Sequence, residues 1–170
     1  MNYWRIATIG LLGVLLGSCG EDGEVYQRPV TEVRDLLRTV EVPLYMFGNS
    51  TDTQARMDAS DPTKIMWKIT SDGISLMTFT ANVIPEGDTK TRVIVDVEGS
   101  RTGKYGDIQA RLDKAKEIRT LYLVSMTEAV DSTLDGRAYD ITATYSALMS
   151  ATTANLGRMF PPTSNAVGPS

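Results

Sequence analysis

Three runs of alternating side chains between Lys64 and Glu98 constrain the fold of this chain more than any other feature. In the first, Ile65, Trp67 and Ile69 alternate with Met66, Lys68 and Thr70. Successive residues of a strand point to opposite faces, so this set forms one wholly apolar face. Ser71-Asp72-Gly73 follows, with the residue types that a tight hairpin turn accepts. In the second run Met77, Phe79, Ala81 and Val83 share one face, while Thr78, Thr80 and Asn82 share the other. Pro85-Glu86-Gly87-Asp88 turns the chain again. Thr91, Val93, Val95 and Val97 then alternate with Lys90, Arg92, Ile94, Asp96 and Glu98. The β-branched content suits a pleated, half-buried surface. The pattern predicts a three-stranded antiparallel meander with one buried and one wet face.

Such a sheet cannot cover its own apolar face, so helices must do so. Val30, Val33, Leu36, Leu37 and Val40 recur at helical spacing between Pro29 and Pro43, which predicts an N-terminal helix. Leu44 to Phe47 reads as a short extended or capping segment that belongs to the core. The polar stretch 49–63 reads as a surface loop. Asp107 can cap a helix from Ile108, whose stripe runs through Leu112, Ala115, Ile118, Tyr122, Met126, Ala129 and Val130 to a stop at Gly136. Leu121 to Val124 is apolar all round, so 118–126 is either part of one long helix, which we favour, or a fourth strand. Asp140 can cap a final helix with Ile141, Tyr145, Leu148, Met149, Leu156 and Met159 facing inward. Pro161-Pro162 ends it, and a mobile tail is expected over 161–170. The expectation is one α+β two-layer domain over residues 29–160. In it, the three-stranded antiparallel meander packs against a long helix, with flanking N- and C-terminal helices.

The N-terminus has the three parts of a bacterial export signal: a short positive region ending at Arg5, an apolar run Ile6–Leu16, and the small residues Gly17 and Ser18. The apolar run falls short of the about 20 residues that a membrane-spanning helix needs. Leu16-Gly17-Ser18-Cys19 closes it and contains the only cysteine. This tetrapeptide resembles the lipobox of bacterial lipoproteins. The resemblance implies a signal peptide over 1–18, cleavage before Cys19, and a diacylglyceryl group on the Cys19 thiol as the membrane attachment. Residues 19–28 then read as the lipidated cysteine and a short tether. Gly20 follows the cysteine where aspartate would imply retention at the inner membrane, so the resemblance implies the periplasmic leaflet of the outer membrane.

Composition narrows what such a body can do. Without residues 1–18 the chain carries 16 basic against 21 acidic side chains, a balance without the basic footprint of a nucleic-acid-binding protein. There is no histidine, which removes the usual general base, the commonest zinc ligand and Ser-His or Cys-His nucleophiles. With Cys19 lipidated there is no free thiol either. No motif implies a metal or a cofactor. Gly99 to Gly106 reads GSRTGKYG, but Tyr105 stands where a phosphate loop needs a magnesium-binding hydroxyl. A flexible connector is the reading for it.

These exclusions leave a non-enzymatic envelope docking or accessory protein, with an unidentified envelope protein as partner. The candidate partner face is the wet side of the sheet, Thr78, Thr80, Asn82, Arg92, Ile94 and Asp96, which has an apolar centre within a polar rim. The alternative is a small-molecule or lipid carrier with an apolar pocket between sheet and long helix, lined by Trp67, Met77, Phe79 and Tyr122.

Overall fold

The computed structural model describes residues 23–47 and 51–159. Residues 1–18, read above as an export signal, Cys19 and the expected tail over 161–170 lie outside the described residues. The sheet has five strands rather than three: β1 Glu24–Tyr26, β2 Thr53–Asp58, β3 Lys64–Ser71, β4 Ile74–Pro85 and β5 Thr91–Gly99. Their spatial order is β1-β5-β4-β3-β2, and every neighbouring pair is antiparallel. The meander of β3, β4 and β5 lies as the alternation predicts. Trp67 stands opposite Phe79, and Phe79 opposite Val97, along a buried row. Asp72 and Gly73 both adopt positive φ, 51° and 72°, as a two-residue hairpin turn with the twist of its strands requires.

The two added strands correct the sequence reading at both edges. β1 takes residues 24–26 out of the expected tether and pairs them with Thr91–Val93. Three residues are too few to show a period, and the partner is far away in sequence. β2 lies in the expected loop. Apart from Thr53 its side chains are exposed on both faces, because the helices do not reach over this edge, so no apolar alternation marks it. Backbone pairing to β3 holds it in place.

The described residues include four α-helices: α1 Val30–Leu37, α2 Ile108–Lys114, α3 Lys116–Asp135 and α4 Tyr145–Met159. The side chains of Val33, Leu37, Leu112, Met126, Ala129, Val130 and Leu134 join the apolar sheet face in one core. Arg34 fastens α1 to the β2–β3 loop by donating to the carbonyls of Ala59 (3.1 Å), Asp61 (2.9 Å) and Pro62 (2.7 Å). Leu44–Phe47 forms a 3-10 turn, not an extended segment.

The single long helix expected from Ile108 is interrupted at Ala115 (φ −114°, ψ 71°). Lys114, Ala115 and Lys116 are all good helix formers, so tertiary packing overrides local propensity here. Ala115 is buried, and its carbonyl accepts the Ile118 and Arg119 N–H groups that open α3. Residues 118–126 are helical throughout and form no strand.

Asp140 caps the last segment as read, accepting from Thr142 N at 2.9 Å, and a 3-10 turn over Ile141–Thr144 leads into α4. The inward face of α4 is not the one expected over 141–151; the side chains of residues 155–159, Leu156 and Met159 among them, lie outside the described residues. Thr144, Ala147 and Ala151 are buried toward α3, while Ile141, Tyr145, Leu148 and Met149 face solvent. Small residues let the two helix backbones approach closely, and the larger apolar side chains are turned outward.

Candidate functional site

Cys19 lies outside the described residues. Thr78, Thr80, Asn82, Arg92, Ile94 and Asp96 come together on the outer face of the sheet, where the register sets Asn82 beside Ile94 and Thr80 beside Asp96. All six are half-buried, so this is a flat surface of short side chains and not a field of solvated charges. Two of its charges are already engaged. Arg92 binds Glu86 at 2.7 Å, and Arg119 at the start of α3 reaches round the edge of β5 to Asp96 at 2.9 Å. Asp96 also accepts from Val97 N at 2.7 Å.

Ile94 is less isolated than the sequence suggests. The chain enters β1 against it: a Cβ on Gly23 would come 2.6 Å from Ile94 Cγ1 and 2.4 Å from the Val93 carbonyl oxygen. Beyond Glu24, β1 gives β5 no further partner, and a cleft of about 650 Å³ opens between that edge and α3. Ile94 and Asp96 form one wall of it, and Lys116, Arg119 and Leu123 the other.

The four residues expected to line a carrier pocket divide into two pairs. Trp67 (2% exposed) and Phe79 (0%) are filled core. Phe47, from the 3-10 turn, stacks on Tyr122 at 5.3 Å and meets Phe79 edge-on at 6.5 Å, while Tyr122 meets Phe79 at 6.4 Å. This aromatic cluster fills the space between sheet and α3. Burial pushes the Tyr122 hydroxyl above its ordinary pKa. Met77 and Tyr122 do reach a groove of about 490 Å³ at the α2–α3 end of the sheet. Leu76, Ile108, Leu112 and Ile118 share its lining, together with Arg111 and Lys114.

The connector Gly99–Gly106 leads into α2 and offers nothing to a phosphate. Ser100 O accepts from Ile108 N (2.8 Å) and Gln109 N (3.3 Å), and Asp107 accepts from Ala110 N (2.8 Å). The amides at the helix start are satisfied by the chain itself.

Two buried polar links were not legible in the sequence. Glu128, almost fully buried, receives both Arg137 Nη atoms at 2.5 and 2.9 Å and Asp140 N at 2.8 Å, which pins the end of α3 to the start of the last helical segment. The Tyr26 hydroxyl donates to Asp131, joining β1 to α3 across 105 positions of sequence. Burial, with the charge of Asp131 beside it, raises the pKa of Tyr26.

Burial also pushes the Asp131 carboxyl up to about 6; the Tyr26 hydrogen bond opposes the shift, and Glu128, Glu24 and Asp135 add to it. A carboxyl whose folded pKa exceeds its unfolded value gives stability that is full at low pH and lost as pH rises through the folded value. Chemical denaturation at pH 5 and pH 7 should therefore show the protein weaker at pH 7, by on the order of 1 kcal/mol from this group. Asp131→Asn should flatten the difference. Below pH 4 the trend reverses, because hydrogen bonds from Ser60, Thr63 and Thr142 hold the carboxyls of Asp58, Asp61 and Asp140 below their ordinary range.

Among the described residues, no group of three or more acidic or other ligating side chains is arranged to hold a metal, and no helix is long and apolar enough to cross a membrane. No family model, no curated protein and no solved structure matches the chain.

Proposed function

We propose that the protein is a lipid-anchored lipoprotein of the bacterial envelope, held at the outer membrane through Cys19, that docks on another envelope protein and performs no catalysis. The observation that carries this reading is the outer face of the sheet, which no described helix covers. Its centre is Thr78, Thr80, Asn82 and Ile94, short or apolar side chains that lose little rotamer entropy on contact. Lys68 and Glu98 stand exposed at its margin. A low-entropy centre with a charged rim is the layout of a modest protein interface.

Ile94→Asp tests it. The variant should fold, as followed by its thermal melt, and should lose the partner that amine-reactive crosslinking captures with the wild type in native envelopes. A crosslink that survives in a well-folded Ile94→Asp protein removes this face from consideration.

The groove that Met77 and Tyr122 reach favours a second reading, a carrier of amphiphiles. Its apolar floor suits an acyl chain, and Arg111 and Lys114 suit a carboxylate. Palmitate should then displace the fluorescent probe N-phenyl-1-naphthylamine from the wild type but not from Ile118→Glu. Failure of the wild type to take up the probe eliminates the carrier.

A further inference from the structure

The cleft between β5 and α3 opens on a strand edge. Val97 N and Gly99 N donate to the side chains of Asp96 and Gln109, each at 2.7 Å, while Ser100 N crosses to Leu76 O of β4 at 2.7 Å. Amides alternate in direction along a strand, so the odd-numbered residues of β5 turn theirs to the β1 side. β1 supplies partners only as far as Val93. Val95, half-buried and next in that series, faces the cleft with an N–H and a C=O that no strand meets among the described residues. The opposite wall holds a donor of the same kind. Arg119 Nε is buried and has no acceptor among the described residues, although Nη2 of the same side chain binds Asp96 at 2.9 Å. Lys116, three residues earlier on α3, adds a second positive charge to this wall. The acids of the cleft do not answer these groups further. Asp96 already holds Arg119, and Asp131, which accepts from Tyr26, lies twelve residues along α3, about 18 Å away.

We infer that residues 20–22, Gly-Glu-Asp, continue β1 along the open edge of β5 and fill this end of the cleft, with an acidic side chain set against Arg119 and Lys116. Gly23 delivers the chain to that place. It lines the cleft, and a Cβ on it would collide with Val93 and Ile94. Its φ of 68° is that of the glycine in a G1 bulge, which passes one extra residue within an antiparallel pair. Glu21 and Asp22 are adjacent, so strand alternation sends one of them toward α3 in either register. Three extended residues cover about 10 Å, the length of β5 from Ile94 to Val97. A strand from another protein would have to displace a segment tethered at the mouth of the cleft, whose effective concentration is of millimolar order. The inference needs only the residues that precede Gly23 and is independent of lipid on Cys19.

The test is hydrogen exchange at single-residue resolution on the full-length chain, isolated from envelopes in mild detergent. Val95 N–H should exchange about tenfold or more slowly in the wild type than in a chain carrying Glu21→Pro and Asp22→Pro. Val93, which pairs with Glu24, should keep its protection in both. Reversing the charges, with Glu21→Lys and Asp22→Lys, should also quicken exchange at Val95, and adding Lys116→Glu should slow it again. A Val95 amide that exchanges at the free rate in the wild type overturns the inference. So does protection that survives the proline pair, which would mean that something other than residues 20–22 covers the edge. Protection lost on dilution assigns the edge to a second copy and equally overturns it. Where the proline pair lowers protection at Val93 as well, the lysine pair decides, since it leaves the backbone free to pair. Exchange at Val95 that the lysine pair does not move then overturns the inference.

Discussion

Replacing Trp67 with alanine should lower the unfolding free energy by about 3–5 kcal/mol, the range for deleting a large core aromatic. Trp67 is 2% exposed at the middle of β3, opposite Phe79 on β4 and Met57 on β2. Ile65 and Ile69 flank it on the same buried face of β3. The loss has two parts, the transfer free energy of the ring and the void that remains because a packed interior relaxes only partly. Domains of this size are stable by roughly 5–15 kcal/mol, so the variant should sit close to the threshold of folding. The urea midpoint should fall steeply with little change in slope. An unchanged midpoint would mean that the core lies on the other face of the sheet.

That face was legible because its signal is local. In β3, β4 and β5 every second residue is apolar over most of the strand, and a slip of one position would have exposed the whole set. Each stretch read wrongly lacked such a signal. β2, Thr-Gln-Ala-Arg-Met-Asp, lies at an edge beyond the helices and has no apolar face to display. β1 is three residues long, and its place is set by strand pairing with 91–93 and by the Tyr26–Asp131 link to α3. The break at Ala115 follows from how α2 and α3 sit on the sheet, in a run where every residue favours helix.

The reversal of α4 has a different cause. Apolar periodicity reports which side of a helix is apolar, and it was read as the side that is buried. Here the side of Thr144, Ala147 and Ala151 allowed the closer approach to α3. The candidate site divides along the same line. Strand alternation brought Thr78, Thr80, Asn82, Ile94 and Asp96 to one face as read. The closing of the expected pocket depends on Phe47 reaching over from the 3-10 turn to Tyr122, which no local pattern announces.

Cys19→Ser should have the largest effect of all, moving the protein from the membrane fraction to the soluble one or stalling it as an uncleaved precursor. The thiol is the only one in the chain, so under the proposed function its loss removes the sole attachment point for lipid. Two acyl chains, at about 0.8 kcal/mol per buried methylene, would give the stable anchoring that a single chain would not. The start of β1 adds a geometric consequence. Gly23 is already seated against Val93 and Ile94, and four peptide units span at most about 14 Å. A lipid on Cys19 would therefore hold the β1–β5 edge, with the cleft bearing Lys116 and Arg119, near the bilayer. A tether reaching to residue 28 would have left the body free to turn. Inserting a long Gly-Ser linker between Cys19 and Gly23 should keep the protein in the membrane fraction while making Lys116 more accessible to a bulky amine reagent in intact envelopes. A Cys19→Ser protein recovered from membranes, processed and at the wild-type level, would reject the lipid anchor and the orientation with it.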